Sequence, residues 1–222
     1  MENQVMASQE IVIVGAGGHG REVLDVLRAQ DPDCETLKFA GFISDDKPDP
    51  QILAKIEANW LGTVDDFLAN TNNMGFVIGI GDPATRKDLA GRLENQGLVP
   101  VTLIHPSATF GSDVFLGVGV VIAAHVSVTT NVHIGDHSHL NLNSTVSHDC
   151  RISHCVTLSP SCSVSGNVTL HEQVLLGANC TILQGLTVGE GSVVGAGAVV
   201  TANVPENTTV VGVPARPLTP AS

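Results

Sequence analysis

Two short stretches of the chain hold residue types that could do chemistry. The first, "IVIVGAGGHGRE" from Ile11 to Glu22, spells GxGxxG at Gly15, Gly17 and Gly20 directly behind four aliphatic residues. A strand, a tight glycine turn and a helix N-terminus turn backbone N–H groups toward a phosphate, whichever nucleotide carries it. A redox dinucleotide is one reading, but His19 inside the turn is no part of that fingerprint. The second stretch is "VSHDC", Val146 to Cys150, where His148 precedes Asp149. An imidazole supported by a carboxylate is a general base that works near neutral pH. Eight of the nine histidines follow Ile104, and His133, His137 and His139 form an HxxxHxH run that resembles a metal set.

Composition narrows the choices. Lys and Arg total 10 against 22 Asp and Glu, a net charge of −12 over 222 residues, which repels a nucleic-acid backbone. No apolar run approaches the roughly 20 residues that span a bilayer, and "MENQVMASQE" lacks the regions of a signal peptide, so the expected location is the cytoplasm. Five cysteines without such a signal are expected to be reduced thiols.

The elements that position these residues obey two different grammars. Up to Ile104, the apolar runs "EIVIV", "LKFAGFI", "MGFVIGI" and "LVPVTLI" alternate with helical stretches. These are "GREVLDVLRAQ", "TVDDFLAN" behind a Thr63 cap, and "PATRKDLAGRLENQ" behind an Asp82 cap with Pro83 at its first position. The β-α-β-α-β-α-β order predicts a small Rossmann-like parallel sheet over residues 1–104, with ligands at the carboxyl ends of its strands. Three loops lie there: Gly15 to Gly20, Ser44 to Asp46, and Gly81 to Asp82. The charged stretch "SDDKPDP" from Ser44 to Pro50 reads as a loop.

From Ile104 every sixth residue is apolar through Phe110, Leu116, Ile122 and onward to Val200, seventeen in all. Two positions before each stands a small or branched residue, Cys150, Cys162 and Cys180 among them. A six-residue period that never slips predicts a parallel β-helix whose turns stack like on like, over residues 105–222. In that register the three cysteines face the interior, Cys155 faces solvent, and His125, Asn143 and Ser161 form a polar ladder. His133 and His139 fall on successive faces, so the HxxxHxH run does not converge on a metal. A hydride-transfer enzyme would need a catalytic domain where the chain has only β-helix.

The chain resembles the hexapeptide-repeat acyltransferases, whose left-handed β-helix has triangular coils of three hexapeptides. It is more closely similar to the two-domain sugar N-acetyltransferases of the bacillosamine and perosamine type, relatives of the sialic acid O-acetyltransferases. "GAGGHGREVLDV", "GFISDD", "IGIGDPATRKDL", "LIHPSATF", "VSHDCRI" and "VVGVPARPL" carry the resemblance over nearly the whole length. On that geometry residues 18 apart stack, and the hexapeptides from His105 to Val200 make a little over five coils.

The resemblance implies acetyl transfer from acetyl-CoA, without a metal, to an amine or hydroxyl. His148 would be the general base at a coil corner, oriented by Asp149 where some relatives carry Glu. Gly166, 18 residues on, leaves room for a thioester and offers an N–H to the developing oxyanion. Cofactor contacts carry over to Gly166, Ala178 and Ala196, and to Thr157 where some relatives have histidine; Arg216 is a further candidate for a CoA phosphate. Sugar-nucleotide contacts carry over to Gly17, Gly18, His19, Ser44, Asp45, Asp82 and Asn141. The expected activity is N-acetylation of a nucleotide-linked 4-amino-deoxysugar, of the UDP type, by a homotrimer, because the cofactor site of this fold lies between helices. O-acetylation of a sialic acid, a GDP- or dTDP-linked amino sugar, and a non-catalytic assembly scaffold are the alternatives.

Overall fold

The computed structural model describes residues 8–71 and 73–218. In the first half, β1 (Gln9–Val14) is followed by α1 (Gly18–Gln30) and β2 (Leu37–Ile43); then come α2 (Pro50–Lys55), α3 (Val64–Leu68), β3 (Gly75–Ile78), α4 (Pro83–Asn95) and β4 (Val99–Pro100). The four strands form one parallel sheet in the order β2-β1-β3-β4. Ile11 to Val14 are buried on both faces of the sheet, which is why they read as an uninterrupted aliphatic run. Val23, Leu24, Val26 and Leu27 give α1 its buried stripe against the sheet.

The helix starts follow their caps. The Thr63 hydroxyl accepts from the Asp66 amide, and the Asp82 carboxylate accepts from the Thr85 amide with Pro83 behind it. Helix α2 starts on the last residue of the stretch read as a loop and runs beyond it, through the same device: Asp49 accepts from the Gln51 amide and Pro50 takes the first position. The fourth apolar run also divides. Val99–Pro100 pairs with β3, whereas Leu103–Ile104 pairs with Val121–Ile122 as the first rung of the second half.

That second half is a left-handed parallel β-helix with three faces. The first face runs from Leu103–Ile104 to Thr209–Val211, the second from Thr109–Phe110 to Val199–Val200, and the third from Val114–Leu116 to Thr187–Val188. Each rung pairs with the residue 18 further on, as Leu140 does with Leu158 and Leu158 with Leu176. The first face extends beyond both ends of the repeat read from sequence, so the helix makes about six turns rather than a little over five.

Its core is one column of buried aliphatics and small residues, including Ile134, Cys150, Leu170, Cys180 and Val200. Each large aliphatic there contributes about 1.5–3 kcal/mol through removal from water. The corners have their own period: from Asp113 to Gly197, every sixth residue has a left-handed backbone, His125, His137, Asp149 and Cys155 among them. Gly, Asn, Asp and His tolerate that conformation best, which explains several polar residues that carry no chemistry. Cys155 is buried at 2% exposure, a correction to the solvent-facing expectation; α4 covers its corner. Among the described residues no helix is long and apolar enough to cross a membrane.

Candidate active site

His148 and Asp149 occupy the corner between the second and third faces, after Thr145–Val146 and before Arg151–Ile152. Adjacent side chains on a flat strand point apart, but Asp149 has φ +62°, and the turn brings its carboxylate beside the preceding ring. His148 Nδ1 lies 2.7 Å from Asp149 Oδ2, and Asn131 Nδ2 donates to Asp149 Oδ1 at 2.6 Å. The two bonds, that to His148 foremost, hold the Asp149 carboxyl below its ordinary range. With Nδ1 engaged, Nε2 of His148 is the atom left to exchange protons. Gly166 lies against this ring: a Cβ built on it would come within 2.6 Å of His148 Cε1 and Nε2. Only glycine leaves the imidazole its present place.

The glycine turn lies at the carboxyl end of β1. Gly15 has φ +99°, and a Cβ on Gly20 would collide with the Gly15 carbonyl, so these two glycines serve close packing of turn and helix. Gly17 and Gly18 differ, because a Cβ on either meets nothing within 4 Å. They border an open cleft of about 610 Å³ that is also lined by His19, Ser44, Asp45, Asp46, Thr85 and Asp88. Helix α1 starts at the cleft with no side-chain cap and no acid in its first turn, so its free N–H groups favour an anion. Asp45 Oδ1 accepts from the Val64 amide, and the Ser44 hydroxyl donates to the Asp46 carbonyl. Asp82 caps α4 through Oδ2 and does not line the cleft; Thr85, Asp88 and Arg92, one helical face of α4, do. Their three- and four-residue spacing was the available signal for them.

His19 lines a second, smaller cavity as well, about 190 Å³ between α1 and the β-helix, bordered by Glu22, Val121, Ala123, Asn141 and Leu142. It is the one residue common to both. Asn141 donates through Nδ2 to the Leu158 carbonyl. This cavity lies at the corner between the first and second faces.

The two halves are joined by Arg86, which sequence reasoning passed over within "PATRKDL". Its side chain is fully buried. Nε donates to the His137 carbonyl at 2.7 Å, NH1 to Ile80 O and Gly81 O, and NH2 to Cys155 O, Val156 O and Thr157 Oγ1. Burial lowers its pKa to about 10, so it stays charged at neutral pH. The Thr157 hydroxyl in turn donates to Gly81 O at 2.8 Å, and the residue is 3% exposed. Thr157 is therefore unavailable to a cofactor, a correction to the expectation carried from the resemblance: the α/β domain covers the first face at that point. The three histidines of the HxxxHxH run also go separate ways. His133 stacks on Phe115, His137 pairs with Glu94 at 2.7 Å, and His139 meets His19. No cluster of three possible metal ligands occurs among the described residues.

Ala178 and Ala196 stack above Leu142 on the corner between the first and second faces, whereas His148 and Gly166 stack on the next corner, one face away. Arg216 is exposed and donates to the Ala215 carbonyl.

Fold and site together define a two-domain hexapeptide-repeat acyltransferase. Residues 10–93 match the PglD N-terminal domain family, and residues 167–202 match the bacterial transferase hexapeptide family. Among solved structures, PerB from Caulobacter crescentus in complex with CoA and GDP-perosamine is 29% identical, over 96% of this chain and 99% of that one, with a TM-score of 0.84. WeeI from Acinetobacter baumannii AYE is 30% identical over 95% of this chain and 100% of that one, with a TM-score of 0.83. UDP-N-acetylbacillosamine N-acetyltransferase of Bacillus subtilis (strain 168) is 30% identical over 116 residues, 52% of each protein, so the match spans about half the length of that curated relative. The chain belongs to the two-domain family that joins a PglD-type N-terminal domain to a bacterial transferase hexapeptide-repeat domain.

Proposed function

We propose that this protein transfers the acetyl group of acetyl-CoA to the amine of a nucleotide-linked 4-amino-deoxysugar, with UDP-4-amino-4,6-dideoxy-N-acetylglucosamine as the substrate and the cytoplasm as its place. The observation that carries the reading is the His148–Asp149 pair at 2.7 Å with the ring set over Gly166. Asp149 accepts the hydrogen bond from the His148 Nδ1–H, orients the ring and supports the imidazolium that forms. Nε2 takes the proton from the sugar amine as its nitrogen bonds to the thioester carbonyl carbon, and returns it to the sulfur as the carbon–sulfur bond breaks. The Gly166 N–H faces the charge that develops on the carbonyl oxygen. The Gly17–Gly18 turn and the α1 N-terminus hold the diphosphate, with Ser44 and Asp45 on the nucleoside side and Asn141 near the sugar.

The cavity that His19 shares with the cleft, together with Asn141, Ala178 and Ala196, belongs to one edge of the prism, and His148 with Gly166 to another. A hexapeptide face separates them by roughly 15–20 Å. A homotrimer that sets the His148 edge of one protomer against the alanine edge of the next brings both halves of the reaction together. In sedimentation, the active species is expected to be a trimer; an active monomer would refute this arrangement.

UDP as the nucleotide rests on the Bacillus subtilis relative, whereas the Caulobacter crescentus structure contains GDP-perosamine. Acetyl-CoA turnover with UDP-, GDP- and dTDP-linked 4-amino sugars decides between them. Turnover is expected with the UDP sugar; a rate confined to GDP or dTDP sugars overturns the base, and none with any amino sugar overturns the function.

A further inference from the structure

His19 is held from behind. Its Nε2 lies 2.9 Å from Nδ1 of His139, with the rings tilted by 47° and their centroids 5.2 Å apart, and its Nδ1 lies 3.2 Å from Glu22 Oε2. His139 stands on the first face between Val121 and Thr157, completely buried where α1 and α4 cover the β-helix. Its Nε2 is a buried nitrogen with no hydrogen-bond partner among the described residues.

We propose that His139 is a positioning residue for His19: it donates its Nδ1–H to His19 Nε2, locks the His19 proton on Nδ1, and so presents an N–H donor where the two cavities meet. The inference rests on the reading that a nucleotide sugar occupies the cleft.

The proton count singles out this arrangement. Burial first, and then the nearby Arg86 charge, keep His139 neutral, with one N–H to place. If that proton were on Nε2, a buried N–H would lack an acceptor. On Nδ1 it has an acceptor in His19, and the bare Nε2 lone pair is the form a nearby cation tolerates. The other neighbours do not compete. His137 is bound to Glu94, and the Thr157 hydroxyl is engaged with Arg86 and Gly81. Among the described residues Glu22 on α1 is the only carboxylate bonded to the pair, and it is 63% exposed, so an incoming ligand oxygen can take its place at His19 Nδ1. The lock makes the His19 edge specific for an acceptor, such as a diphosphate or hydroxyl oxygen.

The tautomer is tested first on the substrate-free protein with ¹⁵N-labelled histidine. The His19 signals, identified by their loss in His19→Gln, are expected to show a protonated Nδ1 and a bare Nε2; a proton on Nε2 overturns the proposal. Kinetics supply the second test. His139→Leu removes the donor and is expected to raise KM for the nucleotide sugar about tenfold, with kcat and the acetyl-CoA KM changed less than about twofold. His139→Asn sets an amide near the Nδ1 position and is expected to restore KM to within about threefold. An unchanged KM in His139→Leu, or His139→Asn as impaired as His139→Leu, overturns the proposal. If His139→Leu does not fold, the tautomer of the parent protein still decides. A parent protein that binds no nucleotide sugar refutes the proposed function instead, while the tautomer measurement keeps its meaning.

Discussion

The α/β domain and the β-helix build their halves of the site by opposite means. In the β-helix a functional residue occupies a slot that the period has already defined. Asp149 takes the left-handed corner that recurs every six residues from Asp113 to Gly197, and Gly166 takes the place one coil above His148. In the α/β domain nothing repeats, and each loop serves once: Gly20 packs on Gly15, Gly17 and Gly18 stay open to the cleft, and Asp82 caps α4. A periodic scaffold can therefore lose one rung's chemistry and keep its shape. The aperiodic half depends on single contacts, of which Arg86 is the most heavily used.

The largest expected effect tests the first side of that contrast. His148→Ala should lower kcat by about 10³-fold with little change in melting temperature, because its side chain is 61% exposed and carries no packing; steady-state turnover within a few-fold of the parent would sink the assignment. Arg86→Leu tests the other side. It leaves five backbone carbonyls and the Thr157 hydroxyl without their donor, and should cost about 3 kcal/mol in denaturant unfolding. The α/β domain is expected to loosen first, as seen by hydrogen exchange in α4 ahead of the β-helix interior. Gly166→Ala displaces the His148 ring without touching the core, so kcat is expected to fall about 10- to 100-fold at near-parental stability.

The smallest effect concerns the corner's charge. The depressed Asp149 carboxyl adds stability at pH above its unfolded value of about 4, and that contribution disappears as pH falls through the lower folded value. Asn131→Ala removes one of the two bonds that depress it. The folded value should then climb toward the ordinary range and the loss begin at higher pH, as read by a carboxyl ¹³C titration; an unmoved titration would leave His148 and the Arg151 charge as the causes.

Much of this was visible in the letters, and the parts that were not share a cause. The hexapeptide register placed Cys150, Cys162 and Cys180 inside and predicted a bend between His148 and Asp149. The same register failed for Cys155, since its corner is covered by a domain that the repeat knows nothing about. Thr157 failed for the same reason: its hydroxyl lies under Arg86 and the Gly81 carbonyl. Helix α2 is masked in the sequence by the acidic and proline residues before it, although Asp49–Pro50 repeats the helix start at Asp82–Pro83. Arg86 gives no signal in a helix rich in charge; only its burial distinguishes it.

By itself, the sequence determined what is local or periodic: the strand and glycine turn before α1, the capped helices, the six-residue ladder and the stacking of Gly166 over His148. Such features depend on neighbours 3, 6 or 18 residues away, whose spacing backbone geometry fixes. Tertiary structure alone decided how the domains meet: Arg86 on the carbonyls of a β-helix corner, His19 against His139, and the separation of the Asn141 cavity and His148 onto different edges. Those contacts join residues 51 to 120 positions apart, and no local period specifies them; they follow from which surfaces can bury their apolar groups and satisfy every polar atom at once.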